Sequence, residues 1–368
     1  MTMTCSGCGW SVPPHELRPF RCPNSGSDDT DHVLVRRIDD GAIDDDPDPF
    51  IRYRRRMHIS QCVDDRQYID VVRRLEDRIE KVDGRRFTIT PFVEHGGFWI
   101  KDETHNVAGS HKARHLMGVL IWLELHGIGA PLAIASCGNA AYAASILARA
   151  THRRLDVYVP AGVNTDRIEA NIIRCQRRTG ERGDPAYLRF REAVARGALP
   201  FTCQGNENGL VIEGGSTLGW EMREQNPNIE RIFIQTGGGA LASAVIAAYP
   251  GPRIHAVQTH ASPLARAWEL VQRHGLDYAI HHRSAFMWPW ETEPVSVAGG
   301  ILDDETYDWV AVIRGMLASG GWPVTVSEEQ LSEANRIAGP GVSATGSAGL
   351  AGAMALPGEE TTAVLFTG

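Results

Sequence analysis

Short apolar strands that run into glycine- or serine-rich turns and on into helices recur along most of this chain. That alternation constrains its fold more than any other feature. PLAIAS, LDVYVPA, RIFIQT and RIHAVQT read as strands. SHKARHLMGVLIWLELHG, AAYAASILARAT, DRIEANIIRCQRRTG, ALASAVIAAY and PLARAWELVQRHG read as helices. Ahead of them, apolar residues recur at helical spacing from Tyr68 to Val82, with Gly84 as a stop, and FTITPFVE and GFWIKDE read as two short strands. TTAVLFTG reads as a last buried strand. Strands alternating with helices imply right-handed crossovers and mostly parallel sheets. The expected fold class is therefore α/β, with parallel-rich sheets flanked by helices. In such folds chemistry gathers where strands end and helices begin, and the glycines cluster there.

Composition narrows the classes of function. The 38 glycines follow no three-residue period, which excludes a collagen-like fibre, and the apolar-periodic stretches between them exclude disorder. With 37 Lys+Arg against 45 Asp+Glu the net charge is −8, which argues against a nucleic-acid coat or a basic membrane anchor. No apolar run approaches the roughly 20 residues that span a bilayer. The start, MTMTCSGCGW, has neither the basic nor the apolar region of a signal peptide. Seven cysteines, an odd number spread over the chain, do not form a secreted disulfide framework, so a reduced, cytoplasmic protein is expected.

Residues 1–48 differ from the rest. They hold Cys5, Cys8 and Cys22, a turn-rich NSGSDDTDH and much of an acidic run, with too little apolar content to form a core. An appended arm is expected. Cys5 and Cys8 have metal-ligand spacing, but Cys22 lacks a second cysteine, and only His15 or His32 could complete a set of four. The arm therefore reads as degenerate, with no metal ligand assigned and zinc binding by Cys5, Cys8 and Cys22 left open. The basic RYRRRMH at 52–58 reads as a partner for surface or inter-subunit charges.

Four segments carry chemistry. In KDETHNVAGSHKAR, Lys112 opens a helix just after Gly109 and Ser110. A helix N-terminus disfavours a cation, and with burial that favours the neutral, nucleophilic amine a Schiff base needs. In ASCGNAAYAAS, strand, Gly138 turn and helix make backbone N–H groups that suit a carboxylate; Cys137 reads as loop geometry rather than a nucleophile. In RIFIQTGGGALASAVIA, Gly237, Gly238 and Gly239 let amides converge on a phosphate at the start of a helix. In GVSATGSAGLAGAMAL, small residues surround Ser343, Thr345 and Ser347 before a short helix.

Together and in this order, these segments resemble the fold-type II pyridoxal-phosphate enzymes of the tryptophan synthase β superfamily, and most of all threonine synthase. The lysine motif matches Asn106-Val107-Ala108-Gly109-Ser110-His111-Lys112, and the Ser-x-Gly-Asn loop matches Ser136-Cys137-Gly138-Asn139. GNENGLVIEGGSTLGWEM carries Glu213 and Thr217 in the usual places, and SATGSAGLAG matches the segment at the pyridine nitrogen. The resemblance covers roughly 85–368. It implies a two-domain fold: a large cofactor domain from 49–97 and 213–368, a small domain from 98–212, and Lys112 at their junction.

The resemblance also implies roles. Lys112 would hold pyridoxal 5′-phosphate as a Schiff base and then act on the substrate Cα proton. Gly237, Gly238, Gly239, Ala240 and Leu241 would hold the phosphate, with His111 beside it as in the tryptophan synthase β chain. Asn139 would bond the ring hydroxyl and Thr345 would face the ring nitrogen. Ser136, Cys137, Gly138, Asn139 and Ala140 would bind the substrate carboxylate. A hydroxyl rather than a carboxylate at the ring nitrogen favours elimination of a β or γ leaving group over transamination. The family pattern departs at Val107 and Ala108, which replace Pro and Thr, and at Ala113, which replaces Asp.

The expected activity is thus a threonine-synthase-like lyase or synthase. A serine/threonine dehydratase-type ammonia-lyase and a cysteine-synthase-type β-replacement enzyme are the alternatives, and a cofactor-binding regulatory protein without turnover is the reading from another class. A homodimer is implied by resemblance only. Arg114, Arg154 and Arg167 read as solvated surface residues, His281-His282 as a polar loop, and the tryptophan-rich FMWPWETEP as core or interface packing.

Overall fold

The computed structural model describes residues 3–36, 40–181, 183–290 and 294–368. Part of the tryptophan-rich run, residues 291–293, lies outside the described residues. Twelve strands among the described residues form three sheets. A two-stranded antiparallel ribbon joins β1 (Thr4–Cys5) to β2 (Leu34–Val35). The large sheet contains β3 (Phe92–His95), β4 (Phe98–Asp102), β9 (Arg231–Gln235), β10 (Arg253–Thr259), β11 (Val324–Val326) and β12 (Thr362–Phe366) in the order β11-β10-β9-β12-β4-β3. All its neighbours are parallel except the β3–β4 hairpin. The small sheet is parallel throughout and contains β5 (Leu132–Ala135), β6 (Leu155–Pro160), β7 (Asn171–Cys175) and β8 (Leu199–Pro200) in the order β7-β6-β5-β8. The mixed α/β architecture and its parallel-rich sheets follow from the alternation in sequence.

Buried parallel strands are apolar on both faces, and β12 shows how the period of two divides its side chains. Ala363 and Leu365 enter the layer holding Leu241, Val245 and Leu264, whereas Val364 and Phe366 enter the opposite layer with Leu331 and Leu350. Each fully buried valine, leucine or phenylalanine of this kind contributes roughly 1.5–3 kcal/mol, and an alanine less. The long N-terminal helix Asp65–Asp83 is set by local signals. The Asp64 carboxylate accepts from the backbone N–H of Arg66 and Gln67 at its start, and Gly84 closes its end at φ 75°. No helix among the described residues is long and apolar enough to cross a membrane.

Several expectations are corrected. DRIEANIIRCQRRTG is not a helix: Asn171–Cys175 is edge strand β7, held by its register with Asp156–Pro160. Sheet pairing outweighs the helix-like spacing of its charges, since Ile172 and Ile173 suit a half-buried edge. Of FTITPFVE only Phe92, Val93 and Glu94 are strand, at the start of β3. Pairing places β4 in the large sheet, so Phe98–Asp102 does not belong with the 98–212 unit. The basic run, by contrast, pairs with surface charges as expected, here of its own chain: Arg54 binds Asp44 and Asp65, and Arg52 binds Glu224. Among the described residues of the N-terminal arm, Met3, Cys5, Phe20 and Leu34 pack into the main core, which docks the arm on the body.

Candidate active site

Four strand-end segments converge. Lys112 is the first residue of helix Lys112–Leu125 and is half-buried. The turn before it is tight: Ala108 and Gly109 adopt φ 57° and 68°, and Asp83 Oδ2 accepts from the Ala108 N–H at 3.0 Å. A left-handed alanine costs roughly 1–2 kcal/mol, strain of the kind that gathers at functional sites. On one side of this turn, Gly368 N–H donates to the Gly109 carbonyl (2.9 Å), and Asn139 Nδ2 donates to the Gly368 carbonyl. This link brings the loop after β5 to the lysine loop. Within that loop Ser136 Oγ accepts from Gly138 N–H at 3.3 Å. Cys137 and Gly138 are exposed, and Ala140 is half-buried.

The glycine turn follows β9. Gly239, at φ 97°, caps helix Ala240–Ala248, whose Ala240 and Leu241 are buried. A segment absent from the sequence argument lies against this turn. A Cβ on Gly237 would come within 2.5 Å of Asp303 Oδ2 and 2.9 Å of Ile301 Cα, and one on Gly238 within 3.0 Å of the Tyr307 ring. The Gly238 N–H points at the Asp303 carboxylate, and Asp308 N–H donates to the Gly238 carbonyl (2.9 Å). Residue 300 ties in the last segment, because Gly300 N–H donates to Thr345 Oγ1 at 2.9 Å. The only sequence signal for this cover is the Gly299-Gly300 pair followed by Asp303-Asp304-Glu305.

The charge of Lys112 acts on two buried carboxyls of the segment that covers the glycine turn. Burial raises Asp303 to about 6, against the nearby positive charge of Lys112 and the Gly238 N–H. Burial likewise raises Asp308 to about 7, opposed by the Gly205 N–H and Lys112. His111, buried beside Lys112, is driven well below the usual histidine range by burial and then by Lys112, so its ring is neutral. Both His111 ring nitrogens and Ser110 Oγ are buried without a hydrogen-bond partner. His115, one helical turn on, is lowered to about 3 by burial and bonds the Val211 carbonyl at 2.9 Å.

Arg114 is not a surface residue. It is fully buried, with Nε on Glu103 (2.8 Å) and Nη1 on Glu221 (2.5 Å) and on Thr217 (3.1 Å). Lys101, also fully buried, reaches the same Glu221 at 2.6 Å. The network lies behind the lysine loop and is committed to the fold. Glu213 has a similar duty, pairing with Arg36 at 2.5 Å. Trp288 stacks under Arg266 and Trp290 donates to the Ala261 carbonyl, which fits packing.

A model of the family described as "pyridoxal-phosphate dependent enzyme" matches residues 87–368. The chain is 29% identical over 160 residues to the biosynthetic L-threonine dehydratase of Haemophilus influenzae, covering 41% of this chain and 30% of that protein. It is 36% identical over 95 residues to the L-threonine ammonia-lyase of Geobacter sulfurreducens, covering 24% and 22%. The matches thus span less than a third of the length of these curated relatives. Its fold is similar to that of processed threonine deaminase isoform 2 from Solanum lycopersicum, with TM-score 0.61, 16% identity and 83% and 85% of the two chains covered.

The residues present fit pyridoxal phosphate on grounds internal to the structure. A side-chain-free turn packs against the Asp303 carboxylate, the charge of the Lys112 amine reaches that carboxylate, and unpartnered polar atoms of Ser110 and His111 lie next to Lys112 in the chain. Asp303 would then compete with the phosphate. Its charge is present above about pH 6 and lost below. Asp303→Asn is therefore expected to bind pyridoxal phosphate several-fold more tightly than the natural chain at pH 7.5, the two converging as the pH falls below 6. Fluorescence titration at several pH values checks this; equal affinities at pH 7.5 would show that Asp303 does not contest the seat.

Proposed function

The chain belongs to the pyridoxal-phosphate dependent enzymes, and from that premise we propose that it is an ammonia-lyase acting on a small β-hydroxy amino acid, serine or threonine. The similarity to an L-threonine dehydratase and an L-threonine ammonia-lyase carries this choice. It favours the ammonia-lyase alternative over the threonine-synthase reading suggested by the motifs. Ala108 supports it too, since the hydroxyl that threonine synthase would use near its substrate is missing there.

Gly237, Gly238, Gly239, Ala240 and Leu241 would hold the phosphate with His111 beside it, Asn139 would take the ring hydroxyl, and Thr345 the ring nitrogen. Pyridoxal phosphate supplies the electron sink that makes the substrate Cα–H bond acidic. Lys112 Nζ both tethers the cofactor and takes the Cα proton. The amides and hydroxyl of the 136–140 loop orient the substrate carboxylate, since N–H groups at the start of a helix suit an anion. The neutral His111 ring adds no positive charge near the lysine, which leaves Lys112 as the basic group there. Loss of the β-hydroxyl as water yields an enamine, which tautomerises to an imine and hydrolyses to a 2-oxo acid and ammonia.

Incubation of the cofactor-loaded protein with L-serine, L-threonine, their O-phospho and O-acetyl derivatives and O-phosphohomoserine tests the reading. Ammonia and a 2-oxo acid are expected in equal amounts from L-serine or L-threonine. Threonine formed from O-phosphohomoserine with no oxo acid from either hydroxy amino acid would overturn it in favour of a synthase. A protein that takes up pyridoxal phosphate and turns over none of these would favour the regulatory reading.

A further inference from the structure

Residues 3–36 fold around a cluster of thiols far in sequence from the catalytic segments. Antiparallel pairing of Thr4 with Val35 and Cys5 with Leu34 brings His32, just ahead of β2, back to the turn that follows β1. Cys5, Cys8, Cys22 and His32 then each point one ligand atom at a common centre, all within 4.8 Å of one another. Cys5 Sγ lies 3.4 Å from His32 Nδ1 and Cys8 Sγ 3.6 Å from Cys22 Sγ. A zinc tetrahedron with Zn–S about 2.3 Å and Zn–N about 2.0 Å has edges of roughly 3.5–3.8 Å. Of the two histidines considered as a fourth ligand, His32, and not His15, joins the three cysteines.

The surroundings are those of a built site. His32 Nε2 is 2.9 Å from Asp28 Oδ1. A proton held there by the carboxylate leaves the Nδ1 lone pair for a metal, the outer-shell arrangement that orients ligating histidines. Backbone N–H groups of Gly7 and Cys8 point at Cys5 Sγ, that of Trp10 at Cys8 Sγ and that of Asn24 at Cys22 Sγ. Asn24 Nδ2 adds a contact to Cys8 Sγ at 3.4 Å. The turn admits no side chain at Gly7, where a Cβ would meet the Asp31 carbonyl at 2.4 Å. Cys5, Cys22 and His32 are buried and only Cys8 is exposed.

We propose that Cys5, Cys8, Cys22 and His32 bind one zinc ion in a closed, structural site. Four protein ligands leave no open coordination position, so the metal takes no part in the reaction. The ion secures the loop that anchors this ribbon to the body of the enzyme. Asp31, next to His32, takes bonds from Trp309 Nε1 and Arg283 Nε at 3.2 Å each. Arg283 in turn pairs with Glu305, in the segment that covers the glycine turn.

The full chain, purified without chelator, is expected to contain one zinc per chain by elemental analysis. After stripping, cobalt(II) is expected to restore the intense thiolate-to-metal absorption and the visible bands of a tetrahedral site. Cys8→Ser should lose both, and His32→Cys should keep the metal with an all-sulfur spectrum. Asp28→Asn, which leaves all four ligands in place, should weaken zinc about 10- to 100-fold in chelator competition. Far-UV circular dichroism identifies any variant that fails to fold, and the two ligand-preserving variants then carry the test. A stripped natural chain that gives no thiolate–cobalt band, or a resting Cys8–Cys22 disulfide in the unreduced protein, would overturn the proposal.

Discussion

Lys112→Ala should leave a folded protein that has lost turnover by about 10⁴-fold or more, the upper range for removing a general base, with the tether lost as well. The same variant should show no visible absorbance characteristic of lysine-bound pyridoxal phosphate. Folding should be preserved because alanine is the best helix former and Lys112 occupies the first turn of its helix. Rates of 2-oxo acid release, the visible spectrum and far-UV circular dichroism together check it. Retained absorbance or retained turnover would remove Lys112 from the site. A folded, colourless and inactive variant is the expected outcome.

The second large effect concerns stability. Arg114 and Lys101 face Glu103 and Glu221 in a network whose four side chains are wholly buried. Two positive and two negative charges balance there. Arg114→Leu removes one positive charge and leaves a carboxylate without its counter-ion inside the protein, at an expected cost of about 3–5 kcal/mol. Denaturant unfolding of the two proteins measures it. A loss under about 1 kcal/mol would mean that water enters and re-solvates the acids.

The pH dependence has a definite sign. Burial pushes the Glu221 carboxyl up, but Arg114 and Lys101 together hold it below the usual range. A carboxyl lowered in the folded state stabilises above its unfolded value, about 4.3, and that contribution is lost as the pH falls through the folded value. The natural chain should therefore lose this contribution only in acid. In Arg114→Leu the main counter-charge is gone, so the loss should begin at higher pH.

Much of this architecture is legible in the sequence because its causes are local. RIFIQT and RIHAVQT are strands for the same reason that ALASAVIAAY is a helix, namely side-chain pattern and the glycines between. Helix Pro185–Ala195, not anticipated above, also carries local signals, with Asp184 as cap and Pro185 at the first helical position. What escapes is set by distant pairing. β7 is a strand because Asp156–Pro160 lies beside it, and no pattern within DRIEANIIRCQRRTG announces that neighbour. Arg114 meets Glu221 across 107 residues, and the cover around Asp303 reaches the glycine turn from 65 residues away, so neither has a sequence signature. The metal cluster is intermediate. Its Cys-x-x-Cys pair is written in the chain, but only the β1–β2 ribbon selects His32 over His15.

The helices that carry Lys112 and Glu221 cross almost backbone to backbone. A Cβ on Gly118 would approach Gly214 Cα to 2.9 Å, one on Gly214 would strike the Arg114 carbonyl at 2.3 Å, and one on Gly215 the His115 ring at 2.1 Å. Lysine placement is thereby referenced to this seam rather than to the loops that would meet substrate. Loops 136–140 and 299–308 can then be varied in search of new substrates while the base keeps its station, whereas a single methyl group at the seam would displace it.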